Sequence, residues 1–226
     1  MINPKDNRIL SALPETEYRR IVAHLEPVQL SLEQILHEAR QKCQLVYFPI
    51  EAIVSLVSVM ENKSTTEIGL IGREGMVGAL QFLGEGICNS FSIVQVKGTA
   101  MRIKAEVLRI ELERSKILQK LLLRYALKLF NQVSQGAACN NHHTVKQRTA
   151  RWLLMLDERS GSTLSMTQEL LSKMLGVRRT GISQVANEIK QQGIIEYQRG
   201  KITILDHKAL ENLACECYQF VKERSI

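Results

Sequence analysis

Arg178, Arg179, Thr180, Ser183, Gln184, Asn187 and Lys190 fall along one side of a helical repeat, and Ile182, Val185, Ala186 and Ile189 fall along the other. Arginine can donate two hydrogen bonds to guanine, and glutamine can pair bidentately with adenine. Threonine, serine and lysine serve phosphate oxygens, which fix position without reading sequence. A helix of this make-up laid in a major groove would meet base edges with its N-terminal residues. On that chemistry Arg179, Ser183 and Gln184 are assigned to bases, and Arg178, Thr180 and Asn187 to the phosphate backbone. An ordinary solvated helix pair has a polar outer face too, so the helix alone does not decide the matter.

The neighbouring elements narrow it. Leu170, Leu171, Met174 and Leu175 give the preceding segment one buried helical face. Ser165 with Gln168 three residues on has the capping-box form, which predicts a helix start at Ser165. Gly176 suits a helix end at positive φ. Beyond the second helix, Gly193–Gln198 and Lys201–Leu205 are β-rich runs around Arg199-Gly200, which predicts a hairpin with a glycine turn. A hairpin behind a helix-turn-helix is a wing, and Arg199 and Lys201 at its tip would touch phosphates. Helix, turn, helix and wing in that order are more specific than any one of them.

Charge agrees. The 226 residues carry a net charge of +7, yet residues 1–115 hold 13 basic and 14 acidic side chains, and residues 116–226 hold 17 and 9. The excess therefore lies in the half with the helix-turn-helix. A basic half attracts a polyanion, with an affinity that falls steeply with salt. Charge alone fits RNA or an anionic membrane equally well, and the winged motif favours duplex DNA. No P-loop, GxSxG, HExxH or triad order is present, so no catalytic residues are assigned. The sequence has no run of 18 apolar residues and no secretory-signal order at MINPKDNRIL, which predicts a cytoplasmic chain without membrane partners.

The five cysteines, Cys43, Cys88, Cys139, Cys215 and Cys217, have no disulfide-framework spacing. Cys215 and Cys217 are too close for a zinc CxxC arrangement and would point apart on a helix. The adjacent His142 and His143 would not converge on a helix either. No metal site is predicted.

Along the chain, Pro14–His24 reads as a short helix opened by Glu15 and Glu17. Residues 25–114 read as β: Leu45–Phe48, Ile53–Met60, Glu67–Ile71, Phe91–Val96 and Ala100–Ile103 are rich in Val, Ile, Phe and Tyr and are punctuated by turns. They predict an antiparallel barrel or roll. Gly75–Gly86 predicts a short helix between sharp turns, whose amides could cradle an anion or merely make turns. Lys116–Ala138 predicts a long helix. Leu118, Leu122, Tyr125 and Leu129 repeat at 4-3-4, a coiled-coil seam, and Leu121, Leu123, Leu127, Phe130 and Val133 form a second stripe. Two apolar faces predict a dimer. Asn140-Asn141 is read as the break and hinge, Thr144–Asp157 as a helix with Trp152 at a seam, Gly161-Ser162 as a loop, and Lys208–Lys222 as one closing helix.

In this order the parts resemble the Crp/Fnr superfamily of bacterial transcription regulators. The resemblance covers essentially the whole chain. It is strongest over LSKMLGVRRTGISQVANEIKQQGIIEYQRGKITILD, followed by ACECY, and looser over IGREGMVGALQFLGEG. It implies an α+β fold: a jelly-roll-like antiparallel β-roll of the cyclic-nucleotide-binding kind (1–115), a dimerisation helix and hinge (116–139), and a winged helix-turn-helix (140–226). It further implies a homodimer on a two-fold symmetric DNA site, with RNA polymerase as a partner. The family's recognition helix carries an arginine, then an acid, then an arginine a turn later. Here Arg179 matches the first, Thr180 replaces the acid and Gln184 replaces the second arginine, so the usual half-site does not follow.

The corresponding effector pocket would comprise Gly75, Gly78, Ala79, Leu80, Asn89 and Ser90. Members that bind cyclic AMP hold the ribose with a glutamate after the cassette glycine, and the phosphate with an Arg-Ser or Arg-Thr pair. Gly78 matches the glycine, but Ala79 stands in the glutamate position and Asn89-Ser90 in that of the pair. A buried phosphate without its guanidinium is costly, so cyclic AMP is not an expected ligand. The iron–sulfur members carry clustered N-terminal cysteines, whereas Cys43 stands alone. No cofactor is assigned, and haem or another small effector stays open. An enzyme with a regulatory roll and an interaction scaffold whose winged helix binds protein are the alternatives from other classes.

Overall fold

The computed structural model describes residues 2–84, 86–160 and 163–224. Contacts group the chain into two units, Met1–Leu56 with Leu70–Phe130, and Val57–Gly69 with Asn131–Ile226. Among the described residues no helix is long and apolar enough to cross a membrane.

The first unit begins with a 3-10 turn and helices α1 (Arg8–Ser11) and α2 (Glu15–Val22), the latter starting directly after Pro14. Asn7 ties this start to the roll. Its Oδ1 accepts from the Ile9 and Leu10 amides, and its Nδ2 donates to the carbonyls of Pro49 at 3.0 Å and Gly75 at 2.9 Å. Strands β1 (Glu26–Leu30), β2 (Ile35–His37), β3 (Leu45–Pro49), β4 (Ile53–Val59) and β5 (Thr65–Ile71) precede helix α3 (Ala79–Leu83). Strands β6 (Phe91–Val96) and β7 (Gly98–Lys104) follow. They form two sheets, β1-β7-β3 and β2-β6-β4-β5, and β7 pairs antiparallel with both β1 and β3. The five β-rich runs read from sequence match β3–β7. The expected short helix between turns is α3.

Residues 105–114, read as part of the β region, are instead helix α4 (Ala105–Arg114). Ala105, Leu108 and Glu111 face inward at helical spacing. The buried Glu111 carboxylate accepts from Arg20 at 2.9 Å and meets Arg114 at 3.4 Å. Ser115 ends α4, and its Oγ accepts from the Leu118 amide at 2.9 Å, capping helix α5 (Lys116–His142).

Two expectations about α5 are corrected. Leu118, Leu122, Tyr125 and Leu129 are not an open seam but are buried within the chain, and Leu123, Leu127 and Phe130 stand 60%, 60% and 63% exposed. Gly75 shows why: a Cβ there would lie 2.2 Å from Tyr125 Oη, so the tyrosine lies flat on glycine backbone. The second correction concerns Asn140-Asn141, which does not break the helix. Asn141 donates back to Ala137 O at 3.2 Å, inside the helix. The break falls at Thr144, where a reciprocal capping box with Gln147 starts helix α6 (Val145–Ser160).

The second unit continues with β8 (Thr163–Ser165), α7 (Gln168–Leu175), α8 (Arg179–Gln191), β9 (Ile195–Gln198) and β10 (Lys201–Ile204). Its three strands pair antiparallel in the order β8-β10-β9. Ala150, Leu153, Leu154 and Leu156 of α6 are buried as expected. Trp152 donates through Nε1 to Glu67 at 2.8 Å, within this unit. The loop read at Gly161-Ser162 lies outside the described residues.

The single closing helix read over Lys208–Lys222 is two: α9 (His207–Leu213), capped by Asp206 Oδ1 on the Ala209 amide, and α10 (Cys217–Arg224). Ala214 adopts an extended conformation, φ −72° and ψ 157°, which ends α9 and turns the chain.

Candidate nucleic-acid interface

Helix α7 starts at Gln168, not Ser165. Thr167 is its N-cap, with Oγ1 accepting from the Leu170 amide at 3.1 Å, whereas exposed Ser165 belongs to β8 and pairs with Lys201 of β10. Tyr197 Oη accepts from the Gln168 amide at 3.1 Å, satisfying another of the first-turn donors. At the far end Gly176 sits at φ 63° and ψ 37°, and the Val177 amide reaches back to Ser172 O at 3.0 Å. This is the left-handed stop that glycine permits. Arg148 donates to the Leu175 carbonyl from beneath.

After so abrupt a stop α8 can pack its apolar stripe. Ile182, Val185, Ala186 and Ile189 are buried as predicted. On the outward face Arg178, Arg179, Thr180, Gln184 and Asn187 are all exposed. Ser183 differs: it is half-buried and donates through Oγ to Gln168 Oε1 at 2.6 Å, joining α8 to the start of α7. Its hydroxyl retains lone pairs but no spare proton, so it positions the helix more than it reads a base. Gln184 donates to Glu188 at 3.1 Å, on an exposed face where a stronger partner can exchange for it. No side chain caps α8. Its first amides therefore add the positive end of a helix to the two arginines.

The wing is as expected. Lys201 pairs with Gln198, leaving Arg199 and Gly200 as a two-residue loop with φ 50° and 75°. Both central residues at positive φ match the turn that suits hairpin twist. Arg199 and Lys201 are exposed at this tip. Strand β8 was not foreseen, since its three residues carry no alternation a sequence could show.

Residues 147–213 match the model of the Crp-like helix-turn-helix domain. The chain also resembles the structure of FixK2 from Bradyrhizobium japonicum, with a TM-score of 0.72 and 14% identity over 84% of this chain and 98% of that one. A putative transcriptional regulator of the crp/fnr family from Eubacterium rectale gives 0.73 and 19%, over 92% and 98%. The c-di-GMP-responsive global regulator CLP of Xanthomonas campestris gives 0.69 and 14%, over 84% and 99%. No curated protein sequence matches. The chain has a Crp-like helix-turn-helix domain on the Crp/Fnr fold.

In the β-roll, two of the residues placed in the effector pocket, Gly75 and Gly78, make room for packing. Gly75 lies beneath Tyr125. Gly78, at φ 92°, leaves room for Cys43 Sγ and His37 Cε1, each 3.0 Å from where a Cβ would stand. Ala79 and Ser90 are buried, and Leu80 and Asn89 are exposed. A cavity of about 440 Å³ is lined by His37, Glu38, Gln41, Gln44 and Cys88, and one of about 850 Å³ by Lys42, Cys43, Lys104, Glu106 and Arg109. The six pocket residues line neither.

The cysteines are grouped in space where the sequence showed them scattered. His37, Cys43 and Cys88 converge in the roll, and Cys139, His143, Cys215 and Cys217 converge in the second unit; within each group the ligating atoms lie within 4.8 Å of one another. Burial holds the His37 imidazole below its usual pKa and pushes the Cys43 thiol up to about 12. The expectation that Cys215 and Cys217 point apart assumed one helix; the break after Leu213 removes that assumption. The spacing of Cys139 and His143, one helical turn apart, was the readable signal.

The two possible caps separate in a stability measurement on the Crp-like domain. Thr167→Ala is expected to cost about 1 kcal/mol, and Ser165→Ala under about 0.5 kcal/mol, read from urea midpoints at constant m-value.

Proposed function

We propose that this chain is a homodimeric, sequence-specific DNA-binding regulator of transcription. The observation that carries the reading is the outward face of α8, where Arg178, Arg179, Thr180, Gln184 and Asn187 stand exposed at the uncapped end of a helix. The wing supplies Arg199 and Lys201 as backbone contacts. Arg179 and Gln184 read bases, Ser183 holds the register of the helix, and the remainder grip phosphates. The structural neighbours, one described as a transcriptional regulator and one as a global regulator, point the same way. RNA polymerase is the further partner through which such a protein would change transcription.

Binding to a pool of genomic fragments, across a salt series, tests this. A two-fold symmetric motif with a steep salt slope is expected. Arg179→Ala should cost about 1–3 kcal/mol and relax discrimination at one base pair. Affinity and preference unchanged by that substitution would remove α8 from the interface.

Dimerisation is assigned to the exposed stripe rather than to the seam read from sequence. Leu123, Leu127 and Phe130 recur at i, i+4 and i+7, the spacing of a coiled-coil contact, and expose more than half of each side chain. Two copies of this helix would cover each other's stripe in a two-fold interface. Leu127→Asp with Phe130→Asp is expected to yield a monomer by light scattering with unchanged circular dichroism. A dimer that survives the double substitution would place the interface elsewhere.

Cyclic AMP is not the effector in this reading. Ala79 has no group for a ribose hydroxyl, and Asn89 and Ser90 have no charge for a phosphate. Calorimetry is expected to give no heat of binding at micromolar cyclic AMP, and saturation there would overturn the assignment.

A further inference from the structure

The second unit holds a group of side chains that DNA reading does not use. Cys139 lies in the last turn of α5, and His143 follows one turn later, its amide bonded to Cys139 O at 3.1 Å. Their side chains therefore share a helix face. Cys215 lies in the break between α9 and α10 and Cys217 opens α10, and both thiols reach the same group. Cys139 Sγ lies 3.5 Å from Cys215 Sγ, and Cys217 Sγ lies 3.6 Å from His143 Nδ1. The three cysteines are at most 4% exposed.

We propose that Cys139, His143, Cys215 and Cys217 bind one zinc ion, which fastens the C-terminal segment to the end of α5.

The donor set and its dimensions fit. Three thiolates and an imidazole make a soft, four-ligand set of the kind found at closed structural zinc sites. Zinc–sulfur and zinc–nitrogen bonds of about 2.3 and 2.0 Å put tetrahedral ligand atoms roughly 3.5–3.8 Å apart. The Cys139–Cys215 and Cys217–His143 separations of 3.5 and 3.6 Å already match those edges. An iron–sulfur cluster spreads its cysteines over several irons, further apart than the 4.8 Å that bounds this group.

Supporting groups are also in place. His143 turns Nδ1 to the thiols and offers Nε2 to Glu216 Oε1 at 3.2 Å, the carboxylate–histidine arrangement that fixes a ligating tautomer. Gln135 donates through Nε2 to Cys217 Sγ at 3.0 Å, an N–H···S bond that favours thiolate. Binding would release the three thiol protons and leave a site of charge −1. The nearby, largely buried guanidinium groups of Arg148 and Arg151 favour that negative charge.

The test is metal analysis of the full chain, purified under reducing conditions without a polyhistidine tag. One zinc per chain is expected. Cys139→Ala and Cys215→Ala should each lower it by at least about tenfold, while Cys43→Ala and Cys88→Ala leave it unchanged. Cobalt substitution should give the visible bands of a tetrahedral thiolate site. Glu216→Ala should weaken zinc against a chromophoric chelator by roughly tenfold, the low end for such partners because Glu216 is exposed. Wild-type chain that holds no zinc after reduction and dialysis against it would overturn the proposal. So would zinc loss that follows Cys43 and Cys88, or a Cys139–Cys215 disulfide in freshly isolated, zinc-free protein. None of these readouts depends on DNA binding.

Discussion

The direction in which α8 faces depends on where α7 stops. Two helices at a fixed angle need an end to the first that neither frays nor runs on, and Gly176 provides it by entering the left-handed region at φ 63°. Any side chain there would pay the steric cost of that region, and a Cβ would also stand 2.6 Å from Thr66 Oγ1. Once the chain has turned, burial of Ile182, Val185, Ala186 and Ile189 leaves the polar residues of α8 outside. The bond from Ser183 to Gln168 and that from Gln168 to Tyr197 tie α8, α7 and the wing to one another. The outward face of α8 is thus held by one hydrogen-bonded set of elements, and its charge is carried by residues the packing does not need.

Periodicity made most of this legible. The apolar stripes of α7 and α8, the glycine between them, and the wing around Arg199-Gly200 could be read because each is set by neighbours within a dozen residues. The five β-rich runs were legible for the same reason. What escaped was decided at longer range. Ser165 and Thr167 both precede a plausible helix start, and only the pairing of Ser165 with Lys201 of β10 withdraws it from capping. Strand β1 exposes three of its five residues, and β2 has only three, too few to mark a period. Helix α4 follows the last β-rich run directly, and only the burial of Ala105, Leu108 and Glu111 at helical spacing separates its ten residues from the β region.

Helix α5 shows the limit most clearly. Both of its stripes are apolar, so hydropathy could establish that two faces needed cover but not which face the chain covers itself. Gly75 decides it. Removal of a Cβ some fifty residues away lets Tyr125 approach the backbone, and the stripe of Leu118, Leu122, Tyr125 and Leu129 follows it inward. The 4-3-4 spacing that resembled a seam belongs to intramolecular packing, and the stripe left open is the one carrying Phe130.

The cysteines carry the same lesson to chemistry. Considered as sequence, Cys215 and Cys217 point apart on one helix. A break of three residues, Ala214 to Glu216, removes that helix. The two cysteine groups are nevertheless unequal. In the roll His37 has both nitrogens engaged, Nε2 with Leu45 O at 2.7 Å and Nδ1 with Ser92 Oγ at 3.2 Å. Cys43 spends its thiol proton on the same carbonyl at 3.4 Å. Those contacts satisfy buried polar groups within the fold, and a ligand role would have to break them. In the second unit, among the described residues, the imidazole of His143 meets the Glu216 carboxylate on Nε2 and turns Nδ1 to Cys217 Sγ at 3.6 Å, within the thiol group. Proximity is common to both groups; a lone pair left free to donate distinguishes the second.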